Sequence, residues 1–465
     1  MDALGFVFGT ALAIGIAALA VLRWARTCPQ VLLLVMPLAY DLVYVNASVF
    51  YLDYHEVFIS ETSTVSHQSD AALRLLFFHA LIVAGVALGF GAWSYLFGRL
   101  DTTITSPTPE VCRRVLWLMT VILGIAMLNV LMSTDVPYPG SGFDRQSFWG
   151  FRLRFPIIRD LFGILAFFVP FVCAAVELYG RQLADKRLMR FARIVLGLYF
   201  VYLVIGGQVF HGLIFPLTIV AALLIVQRVH TRAKLRLLRW APLALAGGAS
   251  LLTVVYLSFK SRGISQAYGS AWDAIVYRVV ALSGSSYWQA DFLWTLDGSN
   301  GSFESLLHGR EFLMRSIMPA SLAADYLRVG VNLQGALPGT ALLSLGFWPT
   351  VLICLGYGVL MGFVTSLVYA MVVKGHVLLL IPSSYLWLWA TTVYGQASLG
   401  PIVNIKFLLF AAIVASASFA WWSSQQSRKR LRPSAAAPFD HKKRLSVASR
   451  GSAGRASPDI VRSNR

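Results

Sequence analysis

Apolar stretches long enough to cross a bilayer, about 20 residues each, recur along the chain almost from its first residue to Trp422. They read as eleven spans: Ala3–Leu22, Gln30–Leu52, Arg74–Phe97, Arg114–Ser133, Ile157–Leu178, Ala192–Gly206, Val209–Val226, Ala241–Phe259, Leu343–Val372, Val377–Tyr394 and Ile402–Trp422. The run from Ile194 to Val226 is too long for one ordinary span and short for two. Its break, Gly206-Gly207-Gln208-Val209-Phe210-His211-Gly212, predicts two shortish helices joined by a tight outer turn. After Ser423 the pattern stops. The last segment is basic and rich in Ser, Ala and Pro, with too few apolar residues to fold alone. The expectation is an all-α, polytopic bundle over residues 1–422 and a disordered cytoplasmic tail over 423–465 that lies on anionic lipid.

Composition agrees, since 57% of the residues are hydrophobic and 13% charged, against about 25% charged in a soluble domain. The net charge of +18 could point to nucleic acid. Its excess sits in short loops and the tail on one face, which argues against that partner. Placing the C-terminus in the cytoplasm puts 27 Lys and Arg residues inside and 12 outside, as inner loops of membrane proteins require. The odd span count then predicts an external N-terminus. The first span reads as an uncleaved anchor, with no basic n-region and no small-residue cleavage site. Cys28, Cys112, Cys173 and Cys354 are widely spaced, so neither a disulfide framework nor a zinc site is expected.

The longest polar interruption before the tail, Lys260 to Pro338, is predicted extracytoplasmic and carries Lys260, Arg262, Arg278, Arg310, Arg315 and Arg328. A second predicted outer loop carries Arg145, Arg152, Arg154 and Arg159. Short outer loops normally avoid basic residues, so these arginines point to an anionic group such as phosphate. In the first loop, aromatics interleave with the arginines from Phe143 to Asp160, which also suits an interfacial anchor that pairs Arg145 with Asp144 and Arg159 with Asp160. In the large loop, Ala274, Tyr277, Val280, Ala281 and Gly284 share a helical face that would lie on the bilayer surface or pack on the bundle. Arg278 sits within that apolar segment and needs either an anionic ligand or a carboxylate, with Asp273 and Asp291 the candidates. Asp41 is the clear acid inside a span, a functional candidate by default or a hydrogen-bonding partner of neighbouring helices. His211, beside the double-glycine break, and His308, alone in the large loop, are titratable candidates. The outer carboxylates are dispersed, so no catalytic metal and no cofactor is expected.

This layout resembles the Wzy-type oligosaccharide repeat-unit (O-antigen) polymerases. The likeness rests on the glycine turn Gly206–Gly212, the first arginine loop from Asp144-Arg145 to Arg159, and the second from Tyr277-Arg278-Val279 to Tyr287-Trp288. It also rests on Leu337-Pro338-Gly339, Leu345-Gly346-Phe347, Gly356-Tyr357-Gly358 and Gly362, and it covers roughly Gln30 to Trp422. Two departures stand out: Gly-Gly-Gln replaces the Gly-Ser-Arg of many members, and no acidic residue stands around Leu342–Leu345. The resemblance implies a GT-C-like fold in a bacterial inner membrane. It implies a metal-independent glycosyltransferase acting on undecaprenyl-diphosphate-linked glycan, with membrane lipids, a chain-length regulator and a flippase as partners. The activity would build a surface polysaccharide, either O-antigen or a capsule or exopolysaccharide. Arg278 and Arg145 are then the first candidates to hold the diphosphate, followed by Arg152, Arg154, Arg159, Arg262 and Arg310. Asp144, His211 and His308 are the candidate bases. An O-antigen ligase-like transferase is the competing enzyme, and His308 stands in no ligase-like motif. A transporter or flippase of lipid-linked glycan would show related halves and interrupted helices, and the sequence shows no internal repeat. A purely structural membrane protein is the remaining alternative.

Overall fold

The computed structural model describes residues 3–59, 64–100, 104–138, 148–158, 168–208, 210–230, 270, 280–328 and 336–417. The described chain is mostly helical, with one two-stranded hairpin, Val57–Ile59 against Thr64–Ser66. Among the described residues, six helices are long and apolar enough to cross a membrane: Pro29–His55, Ala71–Phe97, Pro109–Leu131, Lys186–Ile205, Phe347–Val373 and Val377–Gly395. Phe8–Trp24, Gly212–Val226 and Ile405–Ala417 are shorter apolar helices. Large apolar side chains such as Leu73, Trp117, Trp348 and Leu352 are exposed. A soluble monomer would not leave so much apolar surface bare, and this is a membrane protein. The predicted span Ala241–Phe259 and the predicted tail over 423–465 lie outside the described residues.

Numbering the longer helices in chain order gives α1 Ala3–Trp24, α2 Leu42–His55, α3 Ala71–Phe97, α4 Pro109–Leu131, α5 Val169–Gln182, α6 Lys186–Ile205 and α7 Phe210–His230. Next come α8 Leu282–Asp297, α9 Phe303–His308, α10 Arg310–Ile317, α11 Ala320–Arg328, α12 Leu337–Leu345, α13 Phe347–Val373 and α14 Val377–Gly395. The glycine break is the tight turn expected, joining α6 to α7. Gly207 has φ +72, and a Cβ there would stand 2.6 Å from the Pro137 carbonyl oxygen, so only glycine fits. Trp149 donates its indole N–H to the Gly206 carbonyl at 2.8 Å, and Phe148 beside it is fully buried. Trp149 of the first loop is therefore packed against the helix pair here.

The most intimate packing is between α3 and α13. Each carries glycines four apart, Gly85 and Gly89 facing Gly358 and Gly362, so the two backbones touch. A Cβ on Gly89 would lie 2.3 Å from the Val359 carbonyl oxygen, and one on Gly358 would lie 2.2 Å from that of Ile82. Small residues at this spacing let helices pair in lipid by close dispersion contact. The polar ends of other helices are tied by charge. Glu177 of α5, nearly buried, accepts from Arg181 at 2.6 Å and from Arg193 of α6 at 2.8 Å. Asp185 caps α6 by accepting from the backbone N–H groups of Arg187 and Leu188, both at 3.0 Å.

Two expectations of continuous structure are corrected. The predicted span Gln30–Leu52 is broken into a 3-10 segment Pro29–Leu34, a π-helical segment Val35–Asp41 and α2. Pro37 has no N–H and its ring crowds the preceding turn, so the helix cannot run regularly through it. The chain widens instead, and Leu42 N–H bonds five residues back to the Pro37 carbonyl. The span predicted to begin at Leu343 is likewise divided, because Gly346 at φ +86 ends α12 and starts α13. The polar stretch Lys260–Pro338, expected as a large loop, is folded wherever it is described: residues 280–328 form four helices. Its first helix, α8, packs on α2 and α12 with Tyr287, Trp288, Ala290 and Asp291 fully buried. Val280 and Ala281 are buried too, and a Cβ on Gly284 would stand 2.7 Å from the backbone nitrogen of Val49. Of the two placements expected for that face, its described residues adopt packing on the bundle.

Candidate functional site

Burying α8 carries charge into the bundle, and the chain neutralises it locally. Asp291 has no exposed surface and receives a two-pronged bond from Arg74 at the start of α3, Nε to Oδ1 at 2.7 Å and Nη2 to Oδ2 at 2.6 Å. Ser69 adds a hydroxyl bond to Oδ2 at 3.1 Å. Beside it, Asp53 of α2 accepts from the Trp288 indole at 2.9 Å and from the Ala72 backbone N–H at 2.7 Å. The His67 ring is sandwiched between Trp288 and Phe292, with ring centres 3.5 and 3.9 Å away. Burial pulls its pKa below the ordinary value, opposed by the Trp288 backbone and the Asp291 charge. These contacts latch α8 onto α2 and α3. Of the two acids considered for Arg278, Asp291 is held by Arg74, and Asp273, like Arg278 itself, lies outside the described residues.

The predicted arginines divide by whether an acid meets them. Arg152 pairs with Asp135, and Arg315, one turn along α10, pairs with Glu311 at 2.8 Å. Arg154 is exposed and lies over the Phe155 ring at 5.8 Å, while its backbone N–H donates to Ser133 at 2.9 Å. Arg310 differs. It is half-buried, meets no carboxylate among the described residues, and makes one long bond, 3.3 Å, to the Gly395 carbonyl. Its Nε is buried without a partner, and burial lowers its pKa. The backbone makes this place deliberately. Gly309 at φ +26 lets α9 turn into α10 against Ala397 and Ser398, where a Cβ would collide with the Ala397 carbonyl at 2.1 Å. Ser398 bonds back to the Leu307 carbonyl at 2.5 Å, and Leu399 N–H to that of Leu306 at 3.1 Å. The turn after α14 is thus clasped to the α9–α10 corner, with Arg310 between them.

A family of unknown function, DUF6418, matches residues 304–411. No curated protein and no solved structure matches the chain. The matched stretch, well under half of the chain, contains Arg310, its clasp, and Gly358 and Gly362 of α13.

Other sequence candidates are scattered. His308 is exposed, two residues before Arg310. His211 lies in the first turn of α7. Asp144, Arg145, Arg159, Arg262 and Arg278 lie outside the described residues. The bundle core holds polar groups that the sequence reading passed over. Asn46 of α2 donates through Nδ2 to the Leu42 carbonyl at 3.1 Å and to His79 Nδ1 of α3. That makes Nδ1 the acceptor, so His79 Nε2 carries the hydrogen and donates to the Tyr394 hydroxyl at 2.6 Å. Tyr394 in turn lines a cavity of about 20 Å³ with Asp41, Tyr357 and Thr391. A span pattern scored for apolar runs gives such isolated polar residues little weight; their signal was polarity recurring in spans at Asp41, Asn46 and His79.

Proposed function

We propose that this protein polymerises lipid-linked oligosaccharides, transferring a growing glycan from its undecaprenyl diphosphate carrier to the sugar end of an incoming repeat unit. The bond between the anomeric carbon and the diphosphate oxygen breaks, and the acceptor hydroxyl forms the new glycosidic bond as it loses its proton to a base. The leaving diphosphate needs positive charge, which planar guanidinium groups supply by paired hydrogen bonds. The reading rests on the resemblance to Wzy-type polymerases, and Arg310 is the observation that carries it. A half-buried guanidinium without a counter-ion is costly, and an anionic ligand offsets that cost. Arg152 and Arg154, on a segment tied to the end of α4, are second candidates because they are more open to water. Asp144, His211 and His308 remain the candidate bases. Arg310→Ala should abolish polymerisation while leaving normal amounts of protein in the membrane. Arg310→Lys should restore little, since an ammonium keeps the charge and loses the fork. Wild-type chain length in Arg310→Ala would remove this residue from the site.

One observation favours a second reading, a transporter or flippase of lipid-linked glycan. The interrupted Pro29–His55 span beside a polar cavity is a feature such proteins use at their binding sites. Loss of a flippase would abolish all decorated product, whereas loss of a polymerase leaves single-unit product.

A further inference from the structure

The cavity at Asp41 is not explained by glycan transfer. It lies between the irregular Pro29–Asp41 segment, α3, α13 and α14, and apolar residues such as Leu38, Ile82 and Met361 form much of its wall. Its volume, about 20 Å³, exceeds the ~10–15 Å³ that one water requires. The Asp41 carboxylate has no hydrogen bond or ion pair with any described residue. The other groups facing the space carry no positive charge: Tyr357 from α13, and Thr391 and Tyr394 from α14. Tyr40 adjoins Asp41 in sequence, and His79 is engaged behind Tyr394 as a hydrogen-bond donor.

A bare carboxylate in such a wall is too costly to persist, and no described side chain supplies the compensating charge. Thr391 spends its hydroxyl hydrogen on the Leu388 carbonyl at 2.7 Å, and Tyr394 accepts from His79, so Tyr394 keeps its own hydrogen to offer into the cavity. The π-helical widening at Val35–Asp41 brings an irregular backbone to the same wall, and such backbone inside a membrane is tolerated where it lines a cavity. We propose that this cavity is a cation-exchange site, in which Asp41 takes up one small cation, a proton or an alkali ion. The hydroxyl oxygens of Tyr357 and Thr391 complete the shell. The site stands independently of glycan transfer.

The test uses the full chain purified in nanodiscs, with thermal unfolding as the readout. In one arm sodium replaces choline at constant ionic strength and pH; in the other, pH varies at constant sodium. Sodium binding gives a saturable rise in Tm that Asp41→Asn abolishes. Proton binding gives no sodium response but a fall in Tm with rising pH that Asp41→Asn removes. If Asp41→Asn does not fold, Asp41→Glu, which moves the carboxylate by one methylene, should shift the midpoint of whichever response the wild type shows. A wild type flat in both arms, an Asp41→Asn variant whose two profiles parallel the wild type, or an unshifted Asp41→Glu midpoint would overturn the proposal.

Discussion

Asp291 and Arg74 set the energetic stakes of the latch that holds α8. Replacing Asp291 by Asn would leave the Arg74 guanidinium, 28% exposed, without its counter-charge inside the bundle. Removing one partner of a buried pair costs about 3 kcal/mol, so Asp291→Asn should lower the unfolding temperature in detergent clearly. A melting curve unchanged from the wild type would show that the pair is dispensable. His67 predicts the pH dependence of the same region. Its ring is buried between aromatics with its pKa depressed, so the unfolded chain takes up the proton first. Stability is then full above the unfolded value of about 6.5 and falls as pH drops through it. His67→Phe keeps the stack and should flatten that part of the profile. A variant that loses stability on acidification as steeply as the wild type would contradict this. Neither the latch nor the stacking of His67 was visible in the sequence. Asp291 read as one of several dispersed loop carboxylates, and only the packing of α8 shows that it is buried opposite a span-end arginine.

The helices were far more legible than their contacts. Long apolar runs placed the bodies of α3, α4, α13 and α14 within a few residues, because about 20 apolar residues have few alternatives to a spanning helix. The glycine turn between α6 and α7 was readable for the same reason, since Gly206-Gly207 marks a place where a helix cannot continue. What periodicity could not reveal was that Pro37 turns a span into three kinds of helix, or that Gly358 and Gly362 pack on a partner helix. Those outcomes depend on what lies opposite, which a single run of residues does not encode. The glycine contact gives a sharp expectation. Gly89→Leu or Gly362→Leu should separate α3 from α13 and abolish folded protein, measured as monodisperse yield from membranes. Gly91→Ala and Gly356→Ala, where an added Cβ meets nothing within 4 Å, should leave the yield unchanged. Equal yields from all four variants would show that the close contact is not needed.

Taken together, the chain is a helical membrane protein whose polar stretch between residues 260 and 338 is folded against the bundle wherever it is described. One half-buried arginine in that stretch, Arg310, meets no carboxylate among the described residues. The proposed grip on a lipid diphosphate rests on that arginine. The helical membrane class was legible in composition, while the proposed site required the fold. Arg278, ranked first from sequence, lies outside the described residues, and Arg310, ranked lower, proved to be half-buried with no acid meeting it among those described. The account is tested most directly by deleting the gene in its host and separating the surface polysaccharide by gel electrophoresis. Polymerisation by this protein predicts that the ladder of chain lengths collapses to a single repeat unit and returns with the wild-type gene but not with Arg310→Ala. An unchanged ladder in the deletion strain, or loss of even the single-unit product, would contradict it.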